Sequence, residues 1–381
     1  VHHFDSSQRE ILDVKISSFE PTTYEKEGKL PAPKGWHNSP WRNPENPGYK
    51  KGFAEARDID GVTPWEDNYE TDIVDTRDGL AYLRTLNALE RAAEQDSPFF
   101  IAHGFKHPHT PYCVPRKFWD LYDPENLPLT PAPVRPGNKP YTHGLLENAS
   151  DCAGFSDGRG GEMNNYDMPD WLERKMRHGY FASVSYTDHL LGNILDKLES
   201  LGLKENTIVI LWGDHGYMLH DHRIWAKQCN YEFATRSPMF LHIPGVTDNG
   251  SQTDALVEFV DIYPTLLELC GYDIPERLHG KSFAHLAENP QQIHKQAAFS
   301  QWTRAGHRGY SARSKDFRYT AWFKLDQINI KHVVYEELYD ERENQYEQVN
   351  LAKNPAYSAV IKKHRDIMNR FLSNQAQWCT D

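Results

Sequence analysis

The chain has 381 residues, 42 Lys+Arg against 54 Asp+Glu, and a formal net charge of -12 with its 19 His neutral. With 39% apolar, 12% aromatic and 25% charged residues, it has the composition of a globular protein of one large or two medium domains, not of a disordered or fibrous one. The acid excess argues against nucleic acid as a partner, although a local cationic pocket could still hold one anionic group. No apolar run approaches the roughly 20 residues of a membrane helix, so no membrane partner is expected.

The N-terminus, Val1-His2-His3-Phe4, has neither an initiator Met nor a signal pattern, and reads as a mature start, a processed chain or a cut fragment. Residues 5–70 are rich in loop formers. From 77 to 94, Leu80, Leu83, Leu86 and Leu89 recur every three residues and predict an amphipathic helix. Residues 98–102, short and apolar, predict a buried strand that empties through Gly104 into Lys106-His107-Pro108-His109-Thr110-Pro111. Six prolines and then a glycine-rich stretch make residues 121–168 a long functional or mobile loop. A long helix is predicted over 171–201, stopped by Gly202, and then a strand over 207–212. That strand is apolar on both faces, the pattern of a central, parallel strand.

A strand at 239–243 and a helix at 256–269 complete an alternating rhythm whose class is α/β with helices on both faces of a central sheet. From about residue 295 the texture changes to short aromatic strands at 310–313, 317–323 and 333–339, followed by a helix at 356–372. The expected organisation is therefore a large α/β domain over 1–290 and a small C-terminal α+β domain over 291–381.

The chemistry is expected at strand ends. Gly213-Asp214-His215-Gly216 directly follows the apolar strand, where open α/β sheets bind ligands, and a carboxylate beside an imidazole suits a metal. An ordinary capped turn is the plainer reading. Thirteen residues after Asp214 comes Lys227, at the end of His220-Asp221-His222-Arg223-Ile224-Trp225-Ala226-Lys227, a segment whose cations and imidazoles could hold an anion. The other strand end supplies His103, Lys106, His107 and His109. Together they suit attack on a tetrahedral anionic ester, with cations neutralising charge and a His protonating the leaving oxygen. No activated nucleophile is found, and no second acidic cluster completes a Ca²⁺ site of about six to eight oxygens. Cys113 lies in a Pro-rich loop with no assignable base and reads as structural or incidental. The glycosylation triplets at Asn148 and Asn249 carry no weight.

These residues bring a resemblance into view. Gly104 to Pro111, Tyr180-Phe181-Ala182-Ser183-Val184-Ser185-Tyr186, Gly213 to Gly216, Trp225-Ala226-Lys227, Ile262-Tyr263-Pro264-Thr265-Leu266, Gly309-Tyr310-Ser311-Ala312-Arg313 and Phe317-Arg318-Tyr319-Thr320 resemble the sulfatase family of the alkaline phosphatase superfamily over nearly the whole chain. Within it, the chain is most similar to iduronate-2-sulfatases and their bacterial relatives. The resemblance implies a sulfatase-like α/β domain with a small C-terminal domain, hydrolysing the sulfate ester of a sulfated sugar or oligosaccharide. It implies Ca²⁺ and a formylglycine nucleophile, made from the Cys or Ser of a C-x-P-S-R segment. It also implies a secreted, periplasmic or lysosomal-type compartment.

Carried over by position, Asp214 and His215 match metal-site residues. Lys227 and His109 match residues for sulfate and the leaving group, and His3 matches the His of a K-x-x-H segment. Lys106, His107, Tyr217, His220, His222 and Gln228 are expected on the substrate side. The Lys of K-x-x-H would fall one position before Val1, and the paired N-terminal Asp residues and the nucleophile are expected upstream, or on a separate N-terminal polypeptide that completes the domain. The isolated chain is then expected to be inactive. Cys113 is no substitute, because Lys117 stands where the motif needs Arg. Lys106 and His107 are interchanged relative to the iduronate-2-sulfatase pattern, and Tyr217 and Gln228 replace bulkier or aromatic neighbours, which leaves the sugar open. Two alternatives stand: a phosphatase or phosphonate hydrolase of the same superfamily, and a non-catalytic sugar-binding relative.

Overall fold

The computed structural model describes residues 73, 76–109, 112, 114–134, 170–247, 250–304, 306–343 and 345–378. His3, Cys113, Asn148, Asn249 and most of the expected loop at 121–168 lie outside them. The chain divides into two compact units, Val1–Leu127 with Lys175–Lys197, and Pro128–Arg174 with Leu198–Asp381.

In the first unit, helix α1 (Arg77–Ala93) starts where the Leu periodicity begins. Its N-cap, Thr76, accepts from the Gly79 N–H (2.8 Å) and donates to the Ile73 carbonyl (2.9 Å), satisfying groups that a helix start leaves bare. Helix α2 (Asp170–Ser200) supplies most of this unit's second wall, with Met176, Ala182, Tyr186 and Leu190 buried. Gly179 is required there, since a Cβ would meet the Tyr112 ring at 2.7 Å and the Trp119 ring at 2.9 Å. Residues 98–102 differ from the expected strand: among the described residues they enter no ladder, and Phe100 is 81% exposed. An apolar run reports a wish for burial, but a strand exists only where a neighbouring chain offers N–H and C=O groups.

The second unit holds β1 (Val209–Trp212), β2 (Met218–Leu219), β3 (Trp225–Ala226) and β4 (Met239–His242). Here the expectation of a parallel central strand is corrected: β1 pairs antiparallel with β4, Val209 opposite His242 and Trp212 opposite Met239. Apolarity on both faces measures burial and says nothing of direction. Helix α3 (Ile262–Leu269) is shorter than the predicted 256–269. Pro264 has no N–H for the Val260 carbonyl, so a 3₁₀ turn, Phe259–Asp261, precedes the helix. The turn is closed by a capping box between Glu258 and Asp261. The Val260 carbonyl instead lies so close to Gly280 that a Cβ there would sit 1.8 Å from it.

Beyond these, β5 (Ala298–Arg304), β6 (His307–Arg313), β7 (Phe317–Lys324) and β8 (Tyr335–Asp340) form an antiparallel meander, and α4 (Ser358–Trp378) closes the chain. The sequence reading missed β5. Tyr310, Ala312, Tyr319, Ala321, Phe323 and Leu338 make one apolar face, which packs with Ile367 and Met368 of α4. Phe299 and Phe371 stack at 3.9 Å. The alternate residues Ser311, Arg318, Thr320 and Glu337 are buried as well, so the meander is covered on both faces. The architecture is mixed α/β with an α+β C-terminal part, and no helix among the described residues is long and apolar enough to cross a membrane.

Candidate functional site

The first unit presents Lys106, His107 and His109 on a turn after the 98–102 segment. Asp78, in the first turn of α1 and 1% exposed, holds it. Its carboxylate accepts from the backbone N–H groups of Lys106 (2.8 Å) and His107 (2.9 Å) and from His107 Nδ1 (2.6 Å). Burial opposes the charge on Asp78, but the bond to and charge of His107, with the two backbone bonds, outweigh it and hold the carboxyl below its ordinary value. The carboxylate can only accept, so Nδ1 is the ring nitrogen that donates to it, and Nε2 points away from Asp78.

The His107–Pro108 peptide is cis, and the His109 N–H donates to the Lys106 carbonyl (3.0 Å), closing the turn. His107 meets the ring of Tyr186 edge-on, and burial pushes that phenol up to about 12. His103 lies 2.7 Å from the Thr85 hydroxyl, and burial pushes its imidazole down despite the charge of Asp78.

The second unit carries the rest. Gly213-Asp214-His215-Gly216 leaves β1 in a bend pinned at both ends: the Gly213 N–H donates to the Pro238 carbonyl (3.1 Å) and the Gly216 N–H to the Ala234 carbonyl (2.9 Å). Only glycine fits at 216, where a Cβ would lie 2.0 Å from the Phe233 carbonyl oxygen. His215 donates from Nδ1 to the Gly216 carbonyl (2.7 Å), which turns Nε2 toward Asp214 Oδ1, 3.5 Å away. The Asp214 side chain is 68% exposed. A carboxylate oxygen and an imidazole nitrogen side by side fit two positions around a cation, but no group of three or more such ligands occurs among the described residues.

Between β2 and β3, paired as Met218 with Ala226 and Leu219 with Trp225, runs the turn that delivers Lys227. His220 (φ 74), His222 (φ 54), Arg223 (φ 58) and Ala226 (φ 106) all have left-handed or otherwise positive backbone angles. Such angles cost non-glycine residues on the order of 1–3 kcal/mol each. His220 Nδ1 donates to Glu173 Oε2 (2.5 Å), and Glu173 Oε1 accepts the Thr130 N–H (2.5 Å). Asp221 accepts the Thr130 hydroxyl (2.5 Å) and the Leu219 N–H (2.9 Å). The His222 N–H donates to the Ala132 carbonyl (2.7 Å) and its Nε2 to the Tyr346 carbonyl (2.5 Å). His220 and His222, expected on the substrate side, are thus 7% and 0% exposed and bonded within the framework of the turn.

Lys227, Gln228 and Tyr217 are half-buried, and Tyr217 meets Trp225 edge-on. Burial pushes the Cys229 thiol up to about 12, so it is no nucleophile. Just beyond it, Glu232 is held below its ordinary value against the pull of burial by Arg318 and Arg313.

Residues 32–272, more than half the chain, match the Sulfatase family. This chain belongs to the sulfatase family. Residues 220–374 also match the C-terminal part of N-sulphoglucosamine sulphohydrolases. Iduronate 2-sulfatase of Mus musculus is 31% identical over 305 residues, covering 63% of this chain and 54% of the relative. A sulfatase of Formosa agariphila is 31% identical over 265 residues, covering 70% and 48%. The chain therefore spans about half the length of the curated relatives it matches. In fold it is similar to a phosphonate monoester hydrolase from Silicibacter pomeroyi, with a TM-score of 0.67 and 21% identity over 86% of this chain and 67% of that one. It is likewise similar to a protein solved with its substrate D-glucosamine-2-N,6-O-disulfate, with a TM-score of 0.65 and 20% identity over 84% and 72%.

For this sulfatase-family chain, sequence reasoning passed over Asp78, Thr130 and Glu173, the residues that hold the two turns. For Asp78 a signal existed, since Thr76-x-Asp78 is a helix-start pattern. Nothing near Thr130 or Glu173 points 91 or 47 residues ahead to the turn they clasp.

Proposed function

We propose that the full-length gene product is a sulfuric ester hydrolase that removes sulfate from a sulfated sugar or oligosaccharide, and that this chain carries part of its catalytic machinery. The observation that carries the reading is the family match over 32–272, which spans both turns described above. The relatives named for iduronate 2-sulfate and N-acetylglucosamine 6-sulfate support a sugar substrate, and the one named for choline supports sulfate-ester hydrolysis alone. In this reading Lys227 binds a sulfate oxygen as a point charge, and His109 protonates the departing sugar oxygen. His107, donating from Nδ1 to Asp78, offers Nε2 to a sugar hydroxyl, with Lys106 beside it. Tyr217 and Gln228 contact the sugar.

Asp214 and His215 would supply two of the ligands of a Ca²⁺ ion, which places positive charge against the sulfate oxygens. The nucleophile is a formylglycine outside these residues, and His3 belongs to the same machinery. A secreted, periplasmic or lysosomal-type compartment is the one the family resemblance implies.

The test measures inorganic sulfate released by the full-length product from sulfated monosaccharides and aryl sulfates. Sulfate release that falls by about 10²-fold or more in Lys227→Ala is the expected result. Cleavage of phosphonate or phosphate esters without sulfate release would overturn the reading in favour of the superfamily's other chemistry, and sugar binding without hydrolysis would favour a non-catalytic relative.

A further inference from the structure

The strained turn before Lys227 invites the question of what keeps it in place. Four of the seven residues from 220 to 226 have positive φ, and none of the four is glycine. Left to itself such a segment relaxes to ordinary backbone angles. The β2–β3 ladder, two residue pairs long, is too small to prevent that.

The restraint comes from a buried polar clasp. Glu173 is 3% exposed and spends one oxygen on the Thr130 N–H and the other on His220. Asp221, 5% exposed, ties the same Thr130 through its hydroxyl. Glu173 projects from the first turn of α2, a helix of 31 residues, so the clasp is fixed to a rigid element. Strained backbone persists where its surroundings over-determine it, and here it ends one residue before the cation assigned to sulfate.

We propose that Glu173 is the positioning residue for Lys227: by gripping the His220 ring and the Thr130 amide, it maintains the left-handed turn that sets where Lys227 stands. The inference rests on the reading of Lys227 given above. Glu173 touches no substrate, and its effect passes through the backbone alone.

The experiment is kinetic, on the full-length product with 4-nitrophenyl sulfate as the probe and Lys227→Ala measured alongside. Glu173→Ala is expected to lower kcat by about 10²-fold, the scale of an ångström-sized displacement, with KM changing less than about threefold. Ala226→Gly alone is expected to stay within about twofold of wild type. Added to Glu173→Ala, it is expected to restore roughly tenfold of the lost kcat, because glycine takes a φ of 106° without steric cost. A glycine in the turn cannot repair a loss that comes only from poorer packing of the helix.

If Glu173→Ala does not fold, Thr130→Val removes the hydroxyl bond to Asp221 and should lower kcat by roughly fivefold, with the same glycine rescue. Lys227→Ala inactive beside a clasp variant of wild-type kcat overturns this inference and leaves the reading of Lys227 standing, and so does a loss that Ala226→Gly fails to relieve. Lys227→Ala with wild-type kcat overturns the reading of Lys227, and with it the inference.

Discussion

Replacing Asp78 tests how the first turn is held. Its carboxylate accepts three N–H groups within 2.9 Å, and Asp78→Ala leaves all three without that partner. Each lost bond to a charged acceptor is worth about 1–3 kcal/mol, toward the low end where water can re-enter, as it can at the half-buried residues 106 and 107. A carboxylate in the first turn of a helix adds about 0.3–1 kcal/mol. The sum is on the order of 3–5 kcal/mol, a large share of the roughly 5–15 kcal/mol that holds a typical protein folded. Asp78→Asn keeps one acceptor oxygen but turns an NH₂ toward donors, and should cost about 2–3 kcal/mol.

The pH dependence separates charge from shape. Asp78 is held below its ordinary value in the folded chain, so its contribution is full above the unfolded value of about 3.9 and disappears as pH falls through the folded value. The gap between wild type and Asp78→Asn in urea melts should therefore be constant from pH 7 to 5 and close below about pH 4. A penalty under about 0.5 kcal/mol at pH 7, or one unchanged at pH 3, would refute the argument.

Three further outcomes follow from the packing. Glu341 and Glu347 lie buried near Arg318 and Arg313, and burial above all raises both carboxyls; a raised acid weakens the fold as pH climbs above about 4.5, so Glu341→Gln should melt later than wild type at pH 8, by on the order of 2–5 °C, and at the same temperature at pH 4.5. Gly216→Ala drives a methyl into the Phe233 carbonyl and should cost at least about 2 kcal/mol in a denaturant melt, with sulfate release lost as Asp214 and His215 shift. Phe323→Ala, emptying a site of 0% exposure between the meander and α4, should cost about 3–5 kcal/mol by the same melt.

Periodicity served well where one face alone decides the structure. The Leu spacing placed α1 almost to the residue, and the apolar run through Ile210 placed β1. It failed where partners decide: residues 98–102 are apolar but unladdered, and the direction of β1 is set by its pairing with β4. The alternation of Tyr319, Ala321 and Phe323 with Arg318 and Thr320 would suit a sheet wet on one side, yet Arg318 is 2% exposed, neutralised by the Glu232 carboxylate and at hydrogen-bonding distance from Glu347. At the candidate site, Asp214 and His215 stand out by following an apolar strand, and Lys227 by ending a segment dense in imidazoles and cations. Their supports could not, since a buried ion pair between residues far apart in sequence leaves no local trace.

The ion pairs of Glu232 bear on how this chain could be recombined. Glu232 follows Lys227 by five positions, yet its partners Arg313 and Arg318 sit on β6 and β7, and Asn230 reaches the Gly309 carbonyl on β6 (3.1 Å). A chimera spliced near residue 290, grafting another relative's meander and last helix, would separate these charges from their counterparts and leave a carboxylate buried alone. Chimeras joined before residue 128 would carry the Lys227 hairpin together with Thr130, Glu173 and its electrostatic counterweights, and these are the ones that should yield folded protein.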